Sequence, residues 1–157
     1  MKYLEKVINN LKGNISGCTD KQIEELRLFA NCKKLPAAYE EFMRIMGNGA
    51  IGFMVGESVY MNEIYYLKEG AIEVLKENNS KNILMEDDFV FWMCQGCMFC
   101  FFKLSEGENP PVYYYNEAGE DSFVKIANSF TEFLTNKMEK NINTYKSVYS
   151  CCVQEKE

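Results

Sequence analysis

Three cysteines stand three residues apart in the segment "FWMCQGCMFCFF", which runs from residue 91 to residue 102. They are Cys94, Cys97 and Cys100. Thiolates at close spacing are typical ligands of structural zinc sites, and the Cys94–Cys97 pair also has the C-x-x-C form of a redox-active dithiol. The segment therefore raises the question of whether its cysteines bind a metal, exchange disulfides or fill a core.

The elements around these cysteines favour packing. The sequence predicts two strands within residues 88–104, joined at Gln95–Gly96. Successive side chains of a strand lie on opposite faces, so Cys97 and Cys100 are expected to point apart, whereas a tetrahedral metal site needs converging ligands. Free cysteine is also often buried as a small apolar residue. Core packing is therefore favoured, and metal or redox chemistry is kept as the alternative.

Composition limits the other chemistry that the chain can carry. Its 157 residues include seven cysteines, an odd number, and no histidine. Histidine is the commonest general base at neutral pH and the commonest metal ligand, so an enzyme here would have to work without it. We expect no catalytic residue, no metal site and no cofactor. The N-terminus lacks the apolar run of a secretory signal, and no apolar run is long enough to span a membrane. The sequence therefore predicts a cytoplasmic protein.

Negative charge is concentrated in one part of the chain. The segment Glu86–Asp121 has eight acidic residues and one lysine, a balance of −7, and the net charge of the chain is −6. Such a field disfavours nucleic acid and anionic membranes and favours a basic protein partner. Paired carboxylates could also hydrolyse glycosides or bind a divalent cation, but acids at turns are usually solvated. The candidate partner-binding residues are the acids at turns and strand ends that are expected to be most exposed: Glu86, Asp87, Asp88, Glu117, Glu120 and Asp121.

Apolar spacing, capping boxes and turn residues predict the order of elements. Helices are expected from about Leu4 to Gly13 or Gly17, after the capping box Thr19–Gln22, from Pro36 to Gly47 or Gly49, within "LKEGAIEVLKENN", and after the capping box Ser129–Glu132. Strands are expected in "AIGFMV" and "SVYMNEIYY", on both sides of Gln95–Gly96, in "PPVYYY" and in "SFVKIA". This order predicts a single α+β domain over residues 1–157, with a mostly antiparallel central sheet flanked by N-terminal helices and a C-terminal helix. Its core is expected at about 19–138, and residues 147–157 are expected to form a mobile tail.

Four segments in this order resemble the SUKH superfamily, the Smi/Knr-type proteins named after a fungal regulator of cell-wall synthesis. They are "LPAAYEEFMRIMGNG", "DDFVFWMCQGCMFCFFKL", "NPPVYYYNE" and "IANSFTEFL". The resemblance covers Thr19 to about Met138 and rests on the order of Leu35–Pro36, Tyr39, Phe42, Asn48–Gly49, Gly96, Pro111–Val112–Tyr113, Ser129–Phe130 and Phe133–Leu134. The chain departs from the family in having Ala50 after Asn48–Gly49, and the hairpin cysteines are its own.

The resemblance implies an α+β fold and, in bacteria, an immunity protein that binds and neutralises a polymorphic toxin, often a nuclease. It implies no catalytic residues. We therefore expect a non-enzymatic protein-binding domain whose partner is a basic cognate toxin. The alternatives are a regulatory scaffold that binds a housekeeping protein, as the fungal namesake suggests, and a metal or redox module built on Cys94, Cys97 and Cys100.

Overall fold

The computed structural model describes residues 1–141, which form five helices and two antiparallel sheets. The helices are α1 (Glu5–Ile8), α2 (Asp20–Phe29), α3 (Ala37–Met46), α4 (Met61–Glu77) and α5, residues 130–141. The strands are β1 (Ile15–Ser16), β2 (Gly49–Ala50), β3 (Glu57–Ser58), β4 (Asp88–Cys94), β5 (Met98–Lys103), β6 (Val112–Asn116) and β7 (Val124–Ala127). The expected tail 147–157, with Cys151 and Cys152, lies outside the described residues.

The central sheet has five strands in the order β3-β4-β5-β6-β7, and every neighbouring pair is antiparallel. The α+β class and the antiparallel sheet are thereby confirmed. The turn between β4 and β5 lies at Gln95 and Gly96, whose φ angles are 54° and 67°. Two consecutive positive φ values favour a tight hairpin because they match the twist of the strands.

Helices α3 and α5 pack on one face of the sheet around the ring of Tyr39. Its centroid lies 5.3 Å from that of Phe89, 5.1 Å from that of Phe102 and 5.4 Å from that of Phe130. These four rings come from α3, β4, β5 and α5, and all are buried. Edge-to-face contacts among buried rings add to the free energy of burial. The cluster therefore joins two helices to the middle of the sheet.

The opposite face of the sheet is also buried. Phe99 stacks on Tyr115 with ring centroids 5.3 Å apart, and Phe101 meets Phe123 at 4.9 Å. Asn78, which follows α4, donates to the Tyr115 hydroxyl at 2.6 Å. Because helices and loops cover both faces, β5 is apolar at nearly every position, which is why its sequence shows no alternation of apolar and polar residues.

The loop between β5 and β6 fixes the starts of α3 and α5. The Glu108 carboxylate accepts the Ala37 N–H at 3.2 Å, and the Glu108 carbonyl accepts the Ala38 N–H at 2.9 Å. The neighbouring Asn109 accepts the Thr131 N–H at 3.1 Å. The first amides of a helix have no partner within the helix, so these bonds satisfy them. One loop thus holds both helices of the Tyr39 face in place.

The N-terminal helix is shorter than the sequence predicts, because it ends at Ile8 and not near Gly13 or Gly17. Beyond it the chain extends, and Ile15 pairs with Ala50 between β1 and β2. At Gly13 the backbone runs so close to residue 51 that an added Cβ would lie 2.4 Å from the Ile51 carbonyl oxygen. Pairing with β2 therefore replaces the expected last turns of the helix.

The strands expected in "AIGFMV" and "SVYMNEIYY" are wrong over most of their length. The first segment is strand only at Ala50 and then turns, and the second is strand only at Ser58, since α4 begins at Met61. The residues Met61, Ile64 and Leu67 recur at every third position and are all buried. That helical period outweighs the short alternation that suggested a strand.

The first prediction concerns the ring of Tyr39. The Tyr39 hydroxyl is buried and has no hydrogen-bond partner among residues 1–141. Tyr39→Ala should therefore lower the free energy of unfolding by about 3–5 kcal/mol, because it empties the centre of the cluster. Tyr39→Phe should leave it unchanged or raise it, because it removes a desolvated polar atom. Urea denaturation measures both, and equal losses in the two variants would contradict the assignment.

Candidate partner-binding surface

The first group of candidate acids lies where β4 begins. Asp88 is only 2% exposed, pairs with Lys103 at 2.6 Å and accepts the Met85 N–H at 2.8 Å. The expectation that Asp88 is an exposed acid is therefore wrong, because its carboxylate is used inside the fold. A buried carboxylate that is both paired and hydrogen-bonded is held for structure. Its neighbours remain available for a partner.

Glu86 and Asp87 differ in how far the fold engages them. Asp87 is half-buried and accepts the N–H and the hydroxyl of Ser105 at 3.0 and 2.5 Å. Glu86 is exposed, and its carboxylate accepts a hydrogen bond from the side-chain amide of Asn31, with Nδ2 and Oε1 3.1 Å apart. Of the first group, Glu86 is thus the acid that presents its charge most openly to solvent.

The second group lies in the loop between β6 and β7, and Glu117, Glu120 and Asp121 are all exposed. Hydrogen bonds from the Ser80 hydroxyl and from the Lys81 N–H, the latter at 3.0 Å, hold the pKa of the Asp121 carboxyl below its usual range. Asp121 thereby ties this loop to the chain after α4. Glu117 and Glu120 take no part in the hydrogen bonds between Asp121 and the chain after α4.

The two groups lie at opposite ends of the sheet. Asp88 begins β4, whereas the Glu117 N–H bonds to the Cys97 carbonyl at 3.1 Å, beside the turn that follows β4. At roughly 3.3 Å per residue, the seven-residue strand between them is about 20 Å long. The charge that is continuous in sequence is therefore divided in space, and one small partner segment cannot contact both groups.

The three hairpin cysteines do not sit as the strand argument assumes. Strand β5 begins at Met98, so Cys97 lies in the turn and the alternation of the strand does not reach it. The Cys97 thiol points towards the Cys94 carbonyl, with sulfur and oxygen 3.9 Å apart. Cys100 is buried, and burial raises the pKa of its thiol strongly. Among residues 1–141, no three acidic or thiol side chains converge closely enough to hold a metal ion.

Sequence analysis missed an exposed apolar surface beside Glu86. The side chains of Phe29, Ile83 and Met85 are 44%, 74% and 60% exposed. The ring of Phe29 lies edge-on to that of Tyr65 on α4, with centroids 4.9 Å apart. The sequence pattern gave no signal for it, because residues 58–66 suggested a strand and the helix that carries Tyr65 is known only from the structure.

The sequence model of the SMI1/KNR4 family (SUKH-1) matches residues 17–136. The chain belongs to this family. The match covers most of the sequence and agrees in extent with the segments that suggested the SUKH superfamily. No curated protein matches the chain. Within the described part of this SUKH-1 chain, no helix is both long enough and apolar enough to cross a bilayer.

The family residues of this SUKH-1 chain lie at structural positions. The Asn48 amide donates to the Gly17 carbonyl at 2.8 Å, and the Asn48 N–H donates to the Ser16 carbonyl at 2.9 Å. A Cβ at Gly17 would lie 1.8 Å from the Arg44 carbonyl oxygen, so only glycine fits there. Asn48 thus joins β1 to the end of α3.

The second prediction concerns the thiols. In the native reduced protein, iodoacetamide should modify the half-buried Cys94 and Cys97 and leave Cys100 unmodified until denaturant is added, because Cys100 is buried and its pKa is raised. Peptide mass spectrometry before and after denaturation measures this order. Simultaneous modification of all three would contradict the packing assignment, and protection of all three by added zinc would favour the metal alternative.

Proposed function

We propose that this chain is an immunity protein that binds a cognate toxin in the cytoplasm and neutralises it without catalysing a reaction. Family membership supports a protein-binding role of the immunity type or of the type related to the cell wall. The observation that favours immunity is the distribution of charge. Six acids of the −7 segment are exposed on loops at the ends of the sheet: Glu86, Glu106, Glu108, Glu117, Glu120 and Asp121.

Exposed acids on a rigid frame suit a partner with a basic groove. A toxin that acts on nucleic acid needs such a groove to hold phosphates, and carboxylates can occupy it in their place. Attraction between opposite charges accelerates association, and salt reduces this effect. Because the sheet holds the loops in place, little ordering is needed on binding, which favours affinity. The proposed mechanism is therefore obstruction of the toxin by a preformed acidic surface.

Regulation of cell-wall synthesis is the second candidate, because the family match supports it equally. The two candidates differ in the partner, which is a toxin in one case and a housekeeping protein in the other. Expression of the chain together with the toxin domain encoded beside its gene distinguishes them. Protection of the host cell supports immunity, and unchanged killing with intact expression of the chain contradicts it.

The third prediction tests the charge. Against that toxin domain, made inactive by substitution, the more damaging of the two variants Glu86→Lys and Glu120→Lys should slow association about tenfold at low salt, and this loss should shrink as salt is added. The two variants should differ in effect, because the acids lie at opposite ends of the sheet. The matched control is Glu139→Lys, a reversal at an exposed acid of α5 outside the segment. If the association rate changes equally in all three variants, the net charge of the protein explains the effect, and a local acidic contact is contradicted.

A further inference from the structure

Exposed and half-buried apolar side chains lie on the elements that meet beside Glu86, and we call them the α2–α4 surface. It comprises Phe29 at the end of α2, Tyr65 and Ile72 on α4, and Ile83 and Met85 in the loop before β4. Ile83 and Met85 are 74% and 60% exposed, and Tyr65 and Ile72 are half-buried. Apolar side chains that are contiguous and exposed are typical of an interaction site.

Direct contacts hold the parts of this surface together. Phe29 and Tyr65 are in edge-to-face contact, and one turn after Tyr65 the Lys68 ammonium donates to the Met85 carbonyl at 2.6 Å. Asn31, just beyond α2, closes the surface on its other side through its 3.1 Å bond to Glu86. The end of α2, one flank of α4 and the loop before β4 are therefore held in one arrangement before any partner arrives.

Two carboxylates lie beside the end of this surface that contains Phe29 and Met85. They belong to Glu25 and Glu86, which are both exposed. Glu25 is close enough to Tyr65 to add to the effect of burial in raising the pKa of its hydroxyl. The Lys68 ammonium is turned inward onto the Met85 and Glu86 carbonyls, at 2.6 and 3.3 Å, and the Lys21 ammonium lies 3.9 Å from the Glu25 carboxylate. This end thus combines apolar area with negative charge.

We propose that the α2–α4 surface is where the toxin docks, and this inference rests on the proposed function. The chemistry fits a toxin segment that presents an aliphatic or aromatic side chain flanked by lysine or arginine. The apolar side chain would cover Tyr65, Ile83 and Met85, and the cation would bond to the Glu86 carboxylate. Complementary charge around an apolar centre is the usual anatomy of a specific interface.

The exposed apolar residues in the loop between β2 and β3 lack this combination. Ile51 and Val55 are 69% and 78% exposed, beside a cleft of about 540 Å³ in the loop between β2 and β3. The one acid lining that cleft, Glu57, pairs with Lys137 at 3.0 Å. A basic partner is therefore attracted less strongly to that cleft. Ile51 provides a control site because its exposure is similar to that of Ile83.

The test compares two isoleucines with the same substitution. Ile83→Asp should raise the Kd for the inactivated toxin domain encoded beside the gene about 30-fold or more, as loss of an interface centre does. Ile51→Asp, at 69% exposure, introduces the same charge elsewhere and should change the Kd less than about threefold. Met85→Ala adds no charge and should weaken binding about tenfold. Calorimetric titration gives the Kd values, and circular dichroism checks that each variant is folded.

Each outcome decides a different point. If the wild type binds the toxin domain, and the Ile83→Asp and Met85→Ala variants each bind it as tightly as the wild type does, the toxin docks elsewhere. Only this inference is then overturned. If the free wild type sediments as a dimer that Ile83→Asp dissociates, the surface contacts a second copy, which also overturns the inference. If the wild type does not bind the toxin domain at all, the proposed function fails and the inference fails with it.

Discussion

The packing of Tyr39 between two helices and the sheet is the contact on which the rest of the structure depends. Its ring belongs to α3, but its neighbours Phe89, Phe102 and Phe130 come from β4, β5 and α5. Helices α3 and α5 are distant in sequence from the β4–β5 hairpin, so the ring joins three separate parts of the chain. Glu108 and Asn109 support the cluster from outside by binding the first amides of α3 and α5. A protein interior packed this closely transmits any change in the ring to both helices.

That rigid centre leaves the partner-binding properties to the edges. Both faces of the sheet are buried in the core, so a partner can be recognised only by loops and by the outer flanks of helices. The acids of the −7 segment accordingly separate into those used inside the fold, such as Asp88, and those presented to solvent, such as Glu86 and Glu120. The α2–α4 surface adds apolar area to the Glu86 end, where Ile83 and Met85 are 74% and 60% exposed, whereas Val124 and Ile126 beside the β6–β7 loop are 50% and 41% exposed.

Local signals in the sequence predicted much of the fold. The capping box at Thr19–Gln22 is present in full, and the hairpin turns at Gln95–Gly96 as expected, because both depend on neighbouring residues alone. What failed depends on distant partners. Burial of Asp88 requires Lys103 from the next strand, and the register shift between Val90 and Trp92 places Phe91 and Trp92 both against Phe133. The sequence of β4 alone predicts neither the burial of Asp88 nor the register shift.

The candidate site was predictable only in part, for the same reason. Charge can be counted along the chain, and the count correctly included Glu86 among the exposed acids. The neighbours of Glu86 could not be found this way, because Phe29, Tyr65 and Met85 lie far apart in sequence and meet only through the packing of α2, α4 and the loop before β4. Folding therefore decides which part of the acidic segment has an apolar surface beside it.

Hydrogen–deuterium exchange of the chain with and without the inactivated toxin domain tests this account most directly. The account predicts slower exchange on binding in residues 28–31, 65–72 and 83–87, with little change elsewhere, because a docked partner excludes water from the surface that it covers. Slower exchange confined to residues 49–57 or 117–127, with none at residues 83–87, would contradict it.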